Sequence, residues 1–114
     1  MEDICQFIKS LGDLHDGNVL GLQWLPEECR FELAIEDIYA NFRSFPEYKG
    51  PVRAKFVFSN VSNLNINVSL SETGILLYEW TVQKRGPQDY SSELRFSPAG
   101  IILVSCALIE CAPG

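Results

Sequence analysis

The stretch Arg30-Phe31-Glu32-Leu33-Ala34-Ile35-Glu36 decides the fold class, because large apolar side chains alternate along it with polar or small ones. Successive side chains of a β-strand point to opposite faces of the sheet, so this alternation predicts a strand with one buried face and one face in water. Phe31, Leu33 and Ile35 form the predicted buried face. Just before it, Pro26-Glu27-Glu28 is typical of a hairpin turn.

Strands are also predicted on both sides of this stretch. Leu20, Leu22 and Trp24 share one parity, which predicts an earlier strand that ends at the proline. Residues 53–70 are long for one strand, and their apolar parity is interrupted near residues 59–63. A bulge, bend or turn there would re-aim one long strand or separate two.

The second half of the chain predicts three more strands after a turn at residues 71–74. Residues 101–111, the last of them, are apolar at both parities, which predicts a strand covered on both faces. The predicted apolar faces of the other two are Leu76, Tyr78, Trp80 and Val82 in the first, and Tyr90, Leu94 and Phe96 in the second.

A short helix precedes the strands, because apolar residues at 4, 7, 8 and 11 have the spacing of one helical face. Asp3 is the expected N-cap and Gly12 the expected stop. The sequence thus predicts a single domain over residues 1–114, with a helix at about 3–11 and a β-rich body at about 18–112. We expect a mainly β fold, an antiparallel meander of six to seven strands that forms a β-sandwich or a flattened barrel to bury its apolar faces.

The composition argues against several classes of function. The chain has 114 residues, of which 46% are hydrophobic, and its 15 acidic and 9 basic side chains give a net charge of −6. An acidic protein is unsuited to neutralise the phosphates of nucleic acid or of an anionic membrane, so neither is expected as a partner. No apolar run reaches the roughly 20 residues of a spanning helix, and Met1-Glu2-Asp3 lacks the basic start of a signal peptide. These features predict a cytoplasmic location.

The sequence offers few ligands for a metal. It has one histidine, and no two of its four cysteines are spaced as CxxC. A zinc site needs about four Cys or His ligands, usually in closely spaced pairs, so no metal and no cofactor are expected. Cys106 and Cys111 are predicted to lie on one strand and to point to opposite faces of it.

The pair His15-Asp16 lies just before the first predicted strand. A metal phosphohydrolase would need further His and Asp ligands, and a nucleophilic triad needs a geometry that residue types alone do not supply. We therefore predict that the protein is not an enzyme. Instead, His15 and Asp16 would form a structural joint, in which both side chains bond to backbone groups and fix the first strand to the helix.

The loop from Tyr39 to Pro51 is the candidate recognition surface. Strand alternation does not explain Phe42, Phe45 and Tyr48, and a loop about a dozen residues long usually packs on itself or has a function. Two interpretations stay open, a binding surface for a partner and a lid over the open end of the sandwich. Burial of Phe42 and Phe45 would favour the lid, and exposure of both would favour the binding surface.

The order Leu14-His15-Asp16, followed by Val19-Leu20 and an alternating strand, resembles the opening of small bacterial β-rich domains of unknown function with an N-terminal "L/F-H-D" motif. These domains include a class of polymorphic-toxin immunity proteins. Residues 56–66 are similar to their later "F-x-x-V-x-x-L-x-I" strand. The resemblance implies a cytoplasmic, non-enzymatic protein that binds another protein, with no catalytic role for His15 or Asp16.

Two functions of different classes, together with a third in reserve, follow from the sequence. The first is a small protein-binding domain, in its sharpest form an immunity protein that neutralises a basic toxin, because a charge of −6 would steer a cationic partner. A homodimer through an exposed strand edge is compatible with it. The second function is that of a β-barrel-like protein with a small apolar ligand in a cavity lined by Trp24, Phe31, Phe56, Tyr78 and Trp80. The third is an enzyme that uses His15 and Asp16.

Overall fold

The computed structural model describes residues 3–69 and 74–113, and within these ranges the chain forms one short α-helix and eight strands. The predicted mainly β fold with an N-terminal helix is confirmed. Two segments predicted as possible single strands each form two, which raises the strand count above the expected six to seven. The helix α1 spans Ile4–Ser10, and the strands are β1 (Gly17–Leu25), β2 (Arg30–Ile35), β3 (Ala54–Ser59), β4 (Asn63–Asn67), β5 (Leu76–Gly86), β6 (Asp89–Ser97), β7 (Ile101–Cys106) and β8 (Leu108–Pro113).

All described strands belong to one antiparallel sheet with the order β4-β7-β6-β5-β1-β2-β3-β8. Consecutive strands pair in two meanders, β1-β2-β3 and β5-β6-β7. The three remaining pairings join distant parts of the chain, β4 with β7, β5 with β1 and β8 with β3. Over residues 3–69 and 74–113 the sheet is not closed into a barrel, and β4 and β8 are its edges.

The sheet folds where β1 meets β5, because those two strands pair only at Gly17 with Leu77 and at Asn18 with Leu76. The half that contains β5 then faces the half that contains β3. Trp80 on β5 packs against Phe56 on β3, with the ring centroids 4.9 Å apart and the planes nearly perpendicular. Apolar side chains from both halves thus form one core between two layers.

The alternation of β2 is confirmed. Phe31, Leu33 and Ile35 are fully buried in the core. On the opposite face, Arg30 Nε and Lys55 Nζ lie 2.9 and 3.2 Å from the carboxylate oxygens of Glu32. These two cations cover the carboxylate, so Glu32 is only 9% exposed although it lies on the outer face of the sheet.

Irregular pairing changes the side-chain alternation that the sequence predicts in β5 and β1. The register of β5 with β6 shifts between Leu77 and Glu79, so the inward parity changes at that point. Leu76 and Tyr78, which the alternation predicts to be buried, are therefore 39% and 48% exposed. A similar shift in β1 leaves Leu20 exposed.

Residues 101–111 form two strands rather than the one predicted. The chain leaves β7 after Cys106 and starts β8 at Leu108, which carries it from the layer of β6 to the layer of β3. The expected burial of both faces is wrong, because Leu103 and Leu108 are each 43% exposed. Cys106 and Cys111 consequently lie on different strands.

The helix begins and ends close to the predicted residues. The carboxylate of Asp3 caps it by accepting a hydrogen bond from the backbone N–H of Cys5 at 3.4 Å. Gly12 follows with a φ of 66°, and a Cβ atom there would collide with the side chain of Asn41. The turn after α1 therefore packs closely against the loop between β2 and β3. In the part of the chain that the structure describes, no helix is long and apolar enough to cross a membrane.

The turn predicted at residues 71–74 falls mostly outside the described residues, since only Gly74 belongs to them.

Candidate functional site

One buried carboxylate organises the β2–β3 loop, which comprises the residues between those two strands. Asp37 lies two residues after the end of β2 and is 0% exposed. Its Oδ1 accepts hydrogen bonds from the backbone N–H groups of Tyr39 and Val52 at 3.0 and 3.1 Å. Its Oδ2 accepts from the Tyr48 hydroxyl at 2.5 Å and from Arg43 Nε at 3.4 Å. Asp37 thus accepts hydrogen bonds from the start, the middle and the end of the loop.

Hydrogen bonding keeps this carboxylate ionised. Burial by itself raises the pKa of Asp37, but the hydrogen bonds donated by Tyr48, by the two backbone N–H groups and by Arg43 outweigh it and lower the pKa below its ordinary value. The hydrogen bond to Asp37 also raises the pKa of Tyr48, because an ionised phenolate would face the carboxylate. The pair therefore makes a charge-assisted hydrogen bond between a neutral phenol and a carboxylate.

Backbone hydrogen bonds three residues apart give the loop its shape. The N–H of Phe42 donates to the carbonyl oxygen of Tyr39 at 2.9 Å, that of Phe45 to Phe42 at 3.0 Å, and that of Tyr48 to Phe45 at 3.1 Å. Side chains three residues apart lie above one another when the chain turns in this way. The four aromatic residues of the loop therefore project from one side of it.

These side chains line an open groove of about 530 Å³. The rings of Phe42 and Phe45 are 5.7 Å apart, centroid to centroid. Phe45 is 52% exposed, and Tyr39 and Val52 are also exposed, so the groove presents apolar surface to solvent. Its lining consists of Tyr39, Phe42, Phe45, Glu47, Tyr48, Lys49, Gly50 and Val52.

The structure brings the three residues predicted for recognition, Phe42, Phe45 and Tyr48, together in this groove. The two rings used to separate lid from binding surface differ in burial, since Phe42 is half-buried and Phe45 is 52% exposed. Neither ring belongs to the core cluster, to which the loop contributes Ile38 instead. The aromatic rings of the loop therefore lie outside the core.

Sequence reasoning missed Asp37 and Val52 as parts of this site, and it placed Tyr39 in the candidate loop without naming it among the binding residues. Two signals in the sequence point to Asp37 and Tyr39. Asp37 stands where the alternation of β2 stops, and an aspartate at such a point often accepts a hydrogen bond from the N–H two residues later, here that of Tyr39. In addition, the aromatic residues at 39, 42, 45 and 48 repeat every three residues, the period of a 3₁₀ turn.

The structural joint before β1 is made differently from the prediction. His15 Nδ1 lies 3.1 Å from Asp16 Oδ1, both side chains are about half exposed, and the imidazole ring meets Tyr78 edge-on. Backbone groups make the joint, because the N–H of Asp16 donates to the carbonyl oxygen of Leu77 at 2.8 Å. The side chain of Leu14, which is 1% exposed, anchors it in the core.

The five residues considered for an interior apolar cavity do not line a common space. Phe31, Phe56 and Trp80 are buried within the core and pack among other rings. Trp24 and Tyr78 are 42% and 48% exposed. The interior is therefore filled by side chains at the positions where a ligand was considered.

No protein-family model matches this chain, and a search of the curated proteins gives no significant match. The fold and the site alone define the class of the protein. It is a mainly β chain with one N-terminal helix and a preformed aromatic groove on a loop fixed by a buried aspartate.

Proposed function

We propose that this chain is a cytoplasmic, non-enzymatic protein-binding domain whose partner protein places an apolar side chain in the groove of the β2–β3 loop. One observation carries the proposal. Phe45 is 52% exposed, yet it projects from a loop that the fully buried Asp37 holds by hydrogen bonds at four points. Exposed apolar side chains that form a contiguous patch on a fixed backbone, here Phe45 with Tyr39 and Val52, are typical of a recognition surface.

The rigidity of the loop favours binding. A flexible loop loses conformational entropy when it is fixed in a complex, and each immobilised side chain costs about 0.5–1.5 kcal/mol. Here Asp37 and the successive turns already fix the backbone that carries the rings of Phe42 and Phe45. Aromatic side chains also bury a large area with few rotatable bonds, which is why they dominate interface energetics.

The distribution of charge supports a partner with a basic surface. Residues 36–55, which contain the loop, hold three acidic and four basic side chains, so the acidic excess of the chain lies elsewhere. Long-range attraction by that excess would bring a cationic protein towards the molecule, and the nearly neutral groove would then make the apolar contact. An immunity protein that neutralises a basic toxin is the particular form of this proposal, in line with the resemblance described above.

The test uses the product of the gene directly upstream as the candidate partner. We expect the two purified proteins to bind in isothermal titration calorimetry, and the substitution Phe45→Ala to weaken the dissociation constant by at least about tenfold, as truncation of a central aromatic residue does. Tyr78→Ala is the matched control, since Tyr78 is a similarly exposed aromatic residue on β5, and it leaves the affinity unchanged.

Two results would contradict the proposal. One is the absence of any binding between the two proteins, and the other is equal affinity for the wild-type chain and the Phe45→Ala variant. The salt dependence separates a basic protein from a small apolar ligand in the same groove. Association with a cationic partner slows as salt screens the charges, whereas association with an uncharged ligand does not.

A further inference from the structure

Strand β4 is an edge of the sheet that lacks the usual protection against pairing with another strand. It pairs with β7 on one side only, and its register is regular from Asn63 opposite Ser105 to Asn67 opposite Ile101. Natural edge strands are commonly protected by charged side chains, proline or a bulge. The sequence of β4, Asn63-Leu64-Asn65-Ile66-Asn67, contains none of these. Its outer N–H and C=O groups are therefore available to a second strand.

The chain segment around β4 carries no charge, because residues 56–71 contain no acidic or basic side chain. The charged side chains of other strands that border its asparagines are of both signs, namely Arg85, Glu93 and Arg95. An open cleft of about 400 Å³ borders the inner face of the strand, and its lining includes Trp24, Leu64 and Ile66. Trp24 and Ile66 are each 42% exposed. This edge thus has no acidic excess and is partly apolar.

The opposite edge of the sheet, strand β8, has a charged side chain and a proline, which β4 lacks. Strand β8 carries Glu110 in its middle and ends at Pro113, which has no N–H to donate. Antiparallel pairing of β8 with a second β8 about an axis at Glu110 would bring the two Glu110 carboxylates close together, which destabilises that register. Of the two described edges, β4 is therefore the one suited to self-association.

We propose that two copies of this chain associate by antiparallel pairing of β4 with β4 about a two-fold axis at Asn65. The sequence of β4 has the same chemistry in both directions, because an amide stands at positions 63, 65 and 67 and an aliphatic side chain at 64 and 66. In this register Asn63 faces Asn67 of the second copy, and Leu64 faces Ile66. Amides then meet amides on the outer face and aliphatic groups meet on the inner face, as a self-complementary two-fold contact requires.

The net charge restricts where two copies can meet. Each copy carries a charge of −6, so most contacts between two copies bring like charges together. The β4 edge and its neighbouring cleft offer an approach without that repulsion. The contact also leaves the β2–β3 loop out of the pairing, so this inference is independent of the proposed function.

The proposed register can be tested with variants that place either like charges or opposite charges at facing positions of the two copies. We expect the wild-type chain to sediment at twice the monomer mass at micromolar concentration in analytical ultracentrifugation. The double variant Asn63→Lys/Asn67→Lys places two ammonium groups opposite each other twice, and it raises the dimer dissociation constant by at least about tenfold. The variant Asn63→Lys/Asn67→Glu places opposite charges at the same points and keeps the dimer.

Glu110→Lys on β8 is the control for a change of charge at a sheet edge, and it leaves the wild-type dimer intact. Circular dichroism confirms that each variant is folded, which is expected because Asn63 and Asn67 are exposed. The inference is overturned if the wild-type chain stays monomeric at every concentration, or if both double variants dissociate equally. Persistence of the dimer in Asn63→Lys/Asn67→Lys would overturn it as well. If the first double variant is unfolded, Asn65→Lys, which places two ammonium groups at the axis, gives the same test.

Discussion

Replacement of Asp37 by asparagine tests whether the buried carboxylate, and not merely its shape, holds the β2–β3 loop. Asparagine has nearly the same size, and its amide oxygen can still accept from the N–H groups of Tyr39 and Val52. At the position of Oδ2, however, an NH₂ group replaces an acceptor and faces the hydroxyl of Tyr48 and the guanidinium of Arg43. The tyrosine hydroxyl can turn and accept, but Arg43 cannot.

These contacts determine how much the substitution lowers the free energy of unfolding. A hydrogen bond to a charged group contributes about 1.5–3 kcal/mol, and one between neutral groups about 0.5–1.5 kcal/mol. Each bond to Asp37 that becomes neutral therefore loses about 1 kcal/mol, and part of that loss is offset because a neutral amide is easier to bury than a carboxylate. We expect Asp37→Asn to lower the free energy of unfolding by about 2 kcal/mol, or the melting temperature by about 8 °C.

The pH dependence of the same variant provides a second readout. Because the pKa of Asp37 is lower in the folded chain than its ordinary value of 3.8, the stabilisation by this group is fully present above that value. It is lost as the pH falls through the pKa of the folded state. The difference in stability between the wild-type chain and Asp37→Asn is thus constant near pH 7 and shrinks below about pH 4.

Differential scanning calorimetry at a series of pH values measures both effects. Glu47→Gln is the control, since Glu47 is an exposed acid of the same loop and its substitution changes stability by less than about 0.5 kcal/mol. An Asp37→Asn variant that melts at the temperature of the wild-type chain would show that the carboxylate does not hold the loop. A difference in stability that stays the same from pH 7 to pH 3 would contradict the lowered pKa of Asp37.

Two further predictions concern the joint before β1 and the cysteines. Leu14→Ala should lower the free energy of unfolding by about 3 kcal/mol because Leu14 is 1% exposed, whereas His15→Ala should change it by less than about 0.5 kcal/mol. If urea denaturation shows the reverse order, the joint is not made by the backbone and Leu14. Burial raises the pKa of Cys106 to about 11, so a thiol reagent at pH 8 should modify the exposed Cys29 and spare Cys106. Peptide mass spectrometry showing equal labelling of these two cysteines would refute this.

Local patterns predict those parts of the fold where pairing is regular. In β2 each side chain follows its parity, and Phe31, Leu33 and Ile35 are buried as expected. In β5 the register shift inverts the parity, and the exposure of Tyr78 cannot be read from composition or spacing. A bulge depends on the partner strand, and the sequence of one strand does not contain that partner.

The sequence predicts three aromatic residues of the candidate site but not the hydrogen bonds that hold them in place. Phe42, Phe45 and Tyr48 stand out because alternation does not explain them. Their arrangement depends on Asp37, whose four hydrogen bonds include one to Val52, 15 residues later in the chain. Such a contact forms only when the loop closes on itself, so a local pattern does not reveal it.

The pairing of β8 with β3 has a consequence for biosynthesis. β8 follows all other described strands in the chain, whereas its partner β3 lies near the middle of the chain. In the sheet, β3 lies between β2 and β8. While the ribosome is still producing residues 60–107, β3 therefore has one side without its native neighbour. That half of the sheet can be completed only after residue 113 has left the ribosome.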